Sequence, residues 1–322
     1  MTKVIGIGNA LTDIVIPLSS YDLIDELELP HGGMVMIDNE KFEYILNKTK
    51  NLKKTYVAGG SASNTTYGLA KLGVDTSFIG KVGNDEIGAL YEKDLTSNGI
   101  KSLLQRSKTT HTGCAITFVT PDSERTFATY LGAASELSVN DLKDEYFIGK
   151  DLLHIEGYLL FNYELVRSVM ELAKKHGLKI SLDLAAHNFV MENRDEITDI
   201  IKKYVDICFA NEEESKALTN VDPEDALDII ADYCKYAIVK LGAKGSLVKQ
   251  GNNFEKIDVV EVVPVDTTGA GDLFASGFLY GLIKQMTLKE SCNLGSLLGA
   301  TVIQNYGARI NDEDWQKINK LK

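Results

Sequence analysis

Asp266-Thr267-Thr268-Gly269-Ala270-Gly271-Asp272 runs directly into the apolar stretch Leu273-Phe274-Ala275-Ser276-Gly277-Phe278. Small residues let a ligand approach the backbone, and a helix beginning here aims its unpaired N–H groups and the positive end of its dipole outward. Such a helix start receives anions. A carboxylate at Asp272, just inside it, is placed to take a proton from an attacking hydroxyl while those N–H groups hold a transferring phosphoryl group. On this motif alone a plainer reading stands beside that one, in which the glycines make a tight turn and Asp272 complements the dipole.

Other polar clusters carry the same two-sided reading. Gly59-Gly60-Ser61-Ala62-Ser63-Asn64 precedes a helical stretch through Leu69 and Leu72. Paired glycines permit close contact with a polyol and Asn64 offers both a donor and an acceptor, although Ser61 also makes an ordinary helix cap. Asn9 and Asp13 follow the first apolar run, at the strand end where ligands gather in open α/β sheets; alone they also read as turn residues. Asn211-Glu212-Glu213-Glu214 has the form of a capping box, and its carboxylates also suit Mg²⁺ held through water. Lys240-Leu241-Gly242-Ala243-Lys244-Gly245 closes a strand as a surface turn or as a frame for a nucleotide. No Gly-x-x-x-x-Gly-Lys-Ser/Thr occurs, and Gly6-Ile7-Gly8-Asn9-Ala10-Leu11 has Leu11 where a dinucleotide fingerprint needs its third glycine. The five histidines, His31, His111, His154, His176 and His187, show no metal-ligand spacing.

The elements that must position these residues are clearest after residue 150. Strands are expected over 152–158, 179–184, 205–210 and 236–241, with helices over 163–176, 196–204 and 224–235 between them. Leu165, Val166, Val169, Met170, Leu172 and Ala173 fall on a helical period that stops at Gly177. Strands each followed by a helix imply right-handed crossovers and a parallel sheet covered on both faces. Before residue 150 the pattern is looser: strands over 4–8 and 76–80, helices over 61–71 and 86–97. A β-hairpin is expected from 112–119 and 125–131 around Thr120-Pro121-Asp122-Ser123. With 14–17 and 34–37 it makes a small second sheet, either a cover over a cleft or a plain extension. The C-terminal part reads as helices over 271–285 and 288–304 and a polar piece around Trp315.

Composition sets the outer limits. The chain has 322 residues, 44% hydrophobic and 25% charged, with 34 Lys+Arg against 46 Asp+Glu and a net charge of −12. Those proportions are ordinary for a folded protein, and the sign is opposite to that of a nucleic-acid binder. Cys114, Cys208, Cys234 and Cys292 stand singly, which fits a reduced, cytoplasmic setting. The N-terminus lacks the pattern of a signal peptide, and no apolar run approaches the roughly 18 residues of a membrane span. With no repeat or Pro-rich linker, residues 1–322 are expected to form one domain with an excursion.

Taken in order, these motifs resemble the ribokinase-like (PfkB) family of small-molecule kinases from Val4 to about Gly307. Gly59-Gly60-x-x-x-Asn64 looks like the first family signature, Asp266 to Asp272 like the second with every position filled, and Asn211-x-x-Glu214 like the magnesium and phosphate motif. Three motifs in order are far more specific than one. The resemblance implies a mostly parallel α/β sheet with helices on both faces and a small β lid from about 12–38 and 110–132. It also implies ATP-dependent phosphorylation of a primary hydroxyl on a sugar or nucleoside. Asp272 would be the base, Gly269, Ala270 and Gly271 the anion hole, and Asn211 with Glu214 would act on Mg²⁺. Asn9, Asp13, Gly59, Gly60 and Asn64 would hold the acceptor. Lys240, Gly242, Gly245 and Asn305 would serve ATP, and Asp266 and Thr268 are candidates for a monovalent cation such as K⁺.

Within the family, Gly8-Asn9-Ala10-Leu11-Thr12-Asp13 looks more like the adenosine-kinase branch. Arg125 resembles an arginine that closes over the phosphates, and alternation puts Phe127 on the same strand face, where it would stack on a base. Adenosine is the first acceptor to test. A ribose or fructose type sugar kinase is the alternative, as is a silent nucleoside or sugar sensor. A homodimer through the lid strands is also compatible; nucleic-acid and membrane partners are not expected.

Overall fold

The first apolar run becomes β1 (Lys3–Ile7), and the chain leaves it through Asn9 into β2 (Leu11–Pro17), a strand of a different sheet. The computed structural model describes residues 2–122 and 124–321. After β2 come α1 (Asp22–Glu26), β3 (Met34–Met36), α2 (Asn39–Lys48) and β4 (Thr55–Ala58). The chain continues through α3 (Ser61–Lys71), β5 (Asp75–Ile79), β6 (Lys81–Gly83), α4 (Glu86–Ser97), β7 (Ile100–Ser102) and β8 (Gln105–Ser107), then runs out again as β9 (Gly113–Val119) and β10 (Arg125–Tyr130). From there strands and helices alternate: β11 (Leu152–Glu156), α5 (Tyr163–Lys175), β12 (Lys179–Asp183), α6 (His187–Glu192), α7 (Arg194–Tyr204), β13 (Ile207–Asn211), α8 (Glu212–Thr219), α9 (Pro223–Tyr233) and β14 (Tyr236–Lys240). The hairpin β15 (Ser246–Gln250) and β16 (Asn253–Ile257) precedes α10 (Ala270–Ile283), α11 (Leu288–Val302) and α12 (Asp312–Leu321).

Nine strands form the main sheet in the order β16-β15-β14-β13-β12-β11-β1-β5-β7. Every pairing from β14 across to β7 is parallel, and β15 and β16 add on antiparallel at one edge. Alternation along the strands feeds two cores. Ile5 and Ile7 pack with Val166, Met170, Ile197 and Ile201 on one face, while Val4 packs with Leu69, Phe274, Phe278 and Leu298 on the other. Both faces are covered, as the strand-helix alternation implied.

The small sheet has the order β3-β10-β9-β2-β4. One face buries Ile14, Ile16, Ile116, Phe118 and Ala128 against Ile24, Phe42 and Ile45 of α1 and α2. The hairpin forms with Arg125 opposite Val119; of its turn, Ser123 lies outside the described residues. The sheet also takes in β4, outside the segments expected for it.

Helices α3 and α4 span the expected residues, and α5, β12 and β14 lie within a residue of theirs. The strand expected to reach Tyr158 stops at Glu156, because Gly157–Phe161 winds into a 3₁₀ turn. Helix α8 and the β15–β16 hairpin go beyond the expected elements: α8 is a short polar helix of 8 residues with little apolar periodicity to announce it. All four cysteines are free, and among the described residues no helix is long and apolar enough to cross a membrane.

Candidate active site

The parallel strands end in a row of polar side chains. Glu156 closes β11, Asp183 β12, Asn211 β13 and Lys240 β14, and Asn9 follows β1. In-register pairing sets Glu156 beside Asp183 and Asn211 beside Lys240. The carboxyl edge of a parallel sheet is where open α/β folds bind ligands. Two helix N-termini converge on the same edge, those of α3 and α10, locked together where Ser276 Oγ donates to Thr65 O and Asp272 O, both at 2.9 Å.

Asp272 sits in the first turn of α10 behind Gly269, whose left-handed backbone (φ +78°) lets the chain enter the helix. Its Oδ1 accepts from Ser61 Oγ at 2.7 Å and its Oδ2 from Asn64 Nδ2 at 2.9 Å. Burial raises its pKa against the opposing pull of Asn64, Ser61 and Lys240. A buried carboxylate with a raised pKa and a lone pair left on each oxygen is suited to accept a proton. Among the described residues, the N–H groups of Gly271 and Asp272 have no partner in the chain, whereas Ala270 N–H donates to Thr267 O at 3.2 Å.

Asn64 is less free than its sequence position suggests. While its amide N–H points to Asp272, its Oδ1 accepts from Arg309 Nη1 at 2.8 Å. Arg309 also pairs with Asp94 at 3.1 Å and lies over the Tyr67 ring, 4.3 Å from its centre. Arg309 is absent from the residues expected at the site: it follows the end of α11 and shares no motif or spacing with the rest.

The acceptor side is built on a second unforeseen residue. Glu156, only 1% exposed, accepts from Asn9 N at 2.9 Å, Asn9 Nδ2 at 2.8 Å and Ala62 N at 3.0 Å, tying the turn after β1 to the start of α3. Burial raises its pKa to about 7 even so. Gly60 is held at φ +88°, and a Cβ there would stand 2.2 Å from Asn9 O. Asp13 faces Gly59, and its pKa is also raised to about 7 by burial, opposed by Arg309. Among the described residues no hydrogen bond reaches its carboxylate.

On the other side of Asp272, Lys240 Nζ donates to both oxygens of Asp183, at 2.7 and 2.8 Å. Burial alone would lower the lysine pKa, but Asp183 and Glu214 outweigh it and raise it. Asn211 and Glu214 form a full capping box: Asn211 N and Nδ2 donate to Glu214, and Glu214 N donates to Asn211 Oδ1, each at 2.8 Å. Burial lifts Glu214 to about 7. Each Glu214 oxygen accepts one of these bonds and keeps a lone pair, so the carboxylate can still accept from a water of a Mg²⁺ shell. Among the described residues no group of three or more His, Cys, Asp or Glu is arranged to hold a metal.

Asp266 and Thr268 do not suit a monovalent cation as they stand. Oδ1 of Asp266 accepts from Thr268 N and Oγ1, at 3.0 and 2.7 Å, and Oδ2 from Gly307 N and Arg125 Nη1, both at 2.6 Å. Four donors fill the roughly four lone-pair positions of a carboxylate. Burial would raise the Asp266 pKa, but Arg125, Thr268 and Gly307 hold it below the ordinary value. Arg125 thus ties the small sheet to the loop before α10, with its guanidinium 5.5 Å from the centre of the Tyr306 ring.

Phe127 shares the less buried face of β10 with Arg125. Of the other nucleotide candidates, Gly242 is exposed on the turn after β14, and Gly245 is fixed at φ +88° against Ile257 O. Asn305 donates to Thr301 O at 3.2 Å beyond the end of α11.

Comparison with known proteins places this site in context. The model of the pfkB family carbohydrate kinases matches residues 28–315. A solved structure of adenosine kinase from Sinorhizobium meliloti superposes with a TM-score of 0.88 at 31% identity, covering 100% of this chain and 99% of that one. A probable sugar kinase from Rhizobium etli CFN 42 gives the same TM-score at 32% identity, with 99% and 98% covered. The 5-dehydro-2-deoxygluconokinase of Geobacillus thermodenitrificans is 27% identical over 310 residues, 90% of this chain and 91% of that one.

Proposed function

The chain belongs to the pfkB family of carbohydrate kinases, phosphotransferases that use ATP and an alcohol acceptor, and from that premise we propose that its acceptor is a nucleoside, adenosine first, phosphorylated at the 5′-hydroxyl. The carrying observation is the open face of the small sheet. Directly paired residues share a face, so Val15, Thr117, Phe127 and Met34 line up across β2, β9, β10 and β3 on the side that bears Asp13 and Arg125. Met34 and Met36 are 59% and 51% exposed. An aromatic ring and thioethers beside a carboxylate suit a flat base joined to a hydroxyl-bearing ring.

The cations of the site support a neutral acceptor. Arg125, Lys240 and Arg309 are each paired with a carboxylate, Asp266, Asp183 and Asp94. A sugar acid would have to share one of these cations with a protein carboxylate.

In this reading Asp13, with Asn9 and the Gly59-Gly60 backbone, holds the ribose hydroxyls. Asn64 acts at one remove by orienting Asp272. Asp272 takes the proton of the 5′-hydroxyl as its oxygen attacks, and the N–H groups left free beyond the Gly269 to Gly271 turn, at Gly271 and Asp272, receive the γ-phosphoryl oxygens. Mg²⁺, held through water by Asn211 and Glu214, would neutralise phosphate charge. Residues 1–322 act as one domain in which segments near 12–38 and 110–132 close as a lid, Arg125 and Phe127 with them, and exclude water that would otherwise hydrolyse ATP.

A coupled ADP-release assay across adenosine, inosine, ribose, fructose and 5-dehydro-2-deoxygluconate tests the acceptor. Adenosine should give the highest kcat/KM. A sugar exceeding it by tenfold overturns the nucleoside reading, and tight adenosine binding without turnover would make the chain a sensor.

A further inference from the structure

Lys240 sits against the positive end of a helix, and the acids around it hold its charge there. Its Nζ lies 3.0 Å from the position a Cβ would take on Gly271, in the first turn of α10. That end of a helix carries the positive pole of the dipole, so a lysine there is repelled where an aspartate or glutamate would be attracted. The ammonium is also largely out of water: the side chains of Lys240 and Asp183 are 17% and 5% exposed. Asp183 offsets its charge but uses only two of its three N–H groups, and the third has no acceptor among the described residues. Asp272, Glu214 and Asp183 all act on it electrostatically, which places it among the acids that would surround a transferring phosphate. A cation with a spare donor beside a positive helix end leaves two positive groups that an anion entering between them would bridge.

We propose that Lys240 is a catalytic residue whose third N–H binds an equatorial oxygen of the γ-phosphoryl group of ATP. This rests on the phosphotransfer reading above but not on the identity of the acceptor. The bond from the γ-phosphorus to the β–γ bridging oxygen breaks, with its electron pair leaving on ADP. The bond to the acceptor oxygen forms, the acceptor proton passes to Asp272, and Lys240 keeps its own proton throughout. Lys240 therefore serves the phosphate end of ATP rather than framing its base, and Gly271 is glycine partly because the ammonium fills the space a side chain would take.

The test compares wild type with Lys240→Met and with the double variant Asp183→Asn/Lys240→Met. Mg²⁺-ATP and Mg²⁺-ADP binding are measured by calorimetry, alongside kcat and thermal melting. Lys240→Met should reduce the preference for ATP over ADP at least about tenfold and lower kcat about a hundredfold. It leaves Asp183 buried and unpaired and should also melt earlier; the double variant removes that charge and should recover stability without recovering rate. Recovery of both would make Lys240 merely the partner of Asp183 and overturn the proposal. So would an unchanged ATP-to-ADP ratio accompanied by a shift in the acid limb of the pH–rate profile, which would mean that Lys240 acts on Asp272 alone. If wild type fails to phosphorylate adenosine, the acceptor reading falls, while the ATP-to-ADP ratio still reports on Lys240.

Discussion

Replacing Asp272 by asparagine should separate catalysis from folding. The two carboxylate oxygens face different donors: Asn64 Nδ2 can only donate, whereas the Ser61 hydroxyl can turn and accept. The amide introduced by Asp272→Asn can therefore set its carbonyl toward Asn64 and its NH₂ toward Ser61 and lose neither hydrogen bond. The charge removed is one that the fold resists. Because burial raises the Asp272 pKa, the native state binds that proton more tightly than the unfolded chain does. Ionisation of Asp272 thus subtracts stability as pH rises from the unfolded value, near 4, to the folded value, and the deficit stays constant above that. Asp272→Asn should melt at or above wild type at pH 8, with the difference shrinking toward pH 4. Loss of a general base costs about 10²–10⁴ in rate, or about 3–5 kcal/mol of transition-state stabilisation. The assays are kcat with saturating ATP and acceptor, Mg²⁺-ATP binding, and melting at pH 5 and 8. Turnover within tenfold of wild type would refute the base; a lower melting temperature at pH 8 would refute the hydrogen-bond argument.

Two further perturbations examine the acceptor side and the support of the base. Asp13→Asn should raise the acceptor KM by about tenfold or more while leaving the KM for ATP near wild type, since hydrogen bonds to a charged group contribute about 1.5–3 kcal/mol; equal change in both would place Asp13 outside the acceptor pocket. Arg309→Met frees the Asn64 amide to turn, so Asp272 loses an oriented donor and the acid limb of the kcat/KM profile should move to higher pH. An unmoved limb, whatever the loss in stability, would leave Arg309 a packing residue.

Much of the site could be read from the chain because its parts are local. The turn at Gly269, the start of α10 and the Asp272 carboxylate are neighbours in sequence, so their spacing already sets a carboxylate inside a glycine-rich helix start. Asn211 and Glu214 likewise form their capping box within four residues. Parallel strands with helices between them could be expected because burial on two faces leaves near-continuous apolar runs. Glu156 and Arg309 left no such mark. Glu156 gains its role from Asn9 and Ala62, 147 and 94 residues away, and Arg309 reaches Asn64 across 245.

The sequence carried the chemistry and the class of fold, since both rest on periodicity and on residues close enough to act through local backbone geometry. Folding alone brought Arg125 onto Asp266, set Asn64 between Asp272 and Arg309, and placed Lys240 against the first turn of α10. The reason is physical: hydrogen bonds and charge pairing act over a few ångströms, and which distant groups fall within that reach depends on strand order and helix packing, which local sequence does not encode.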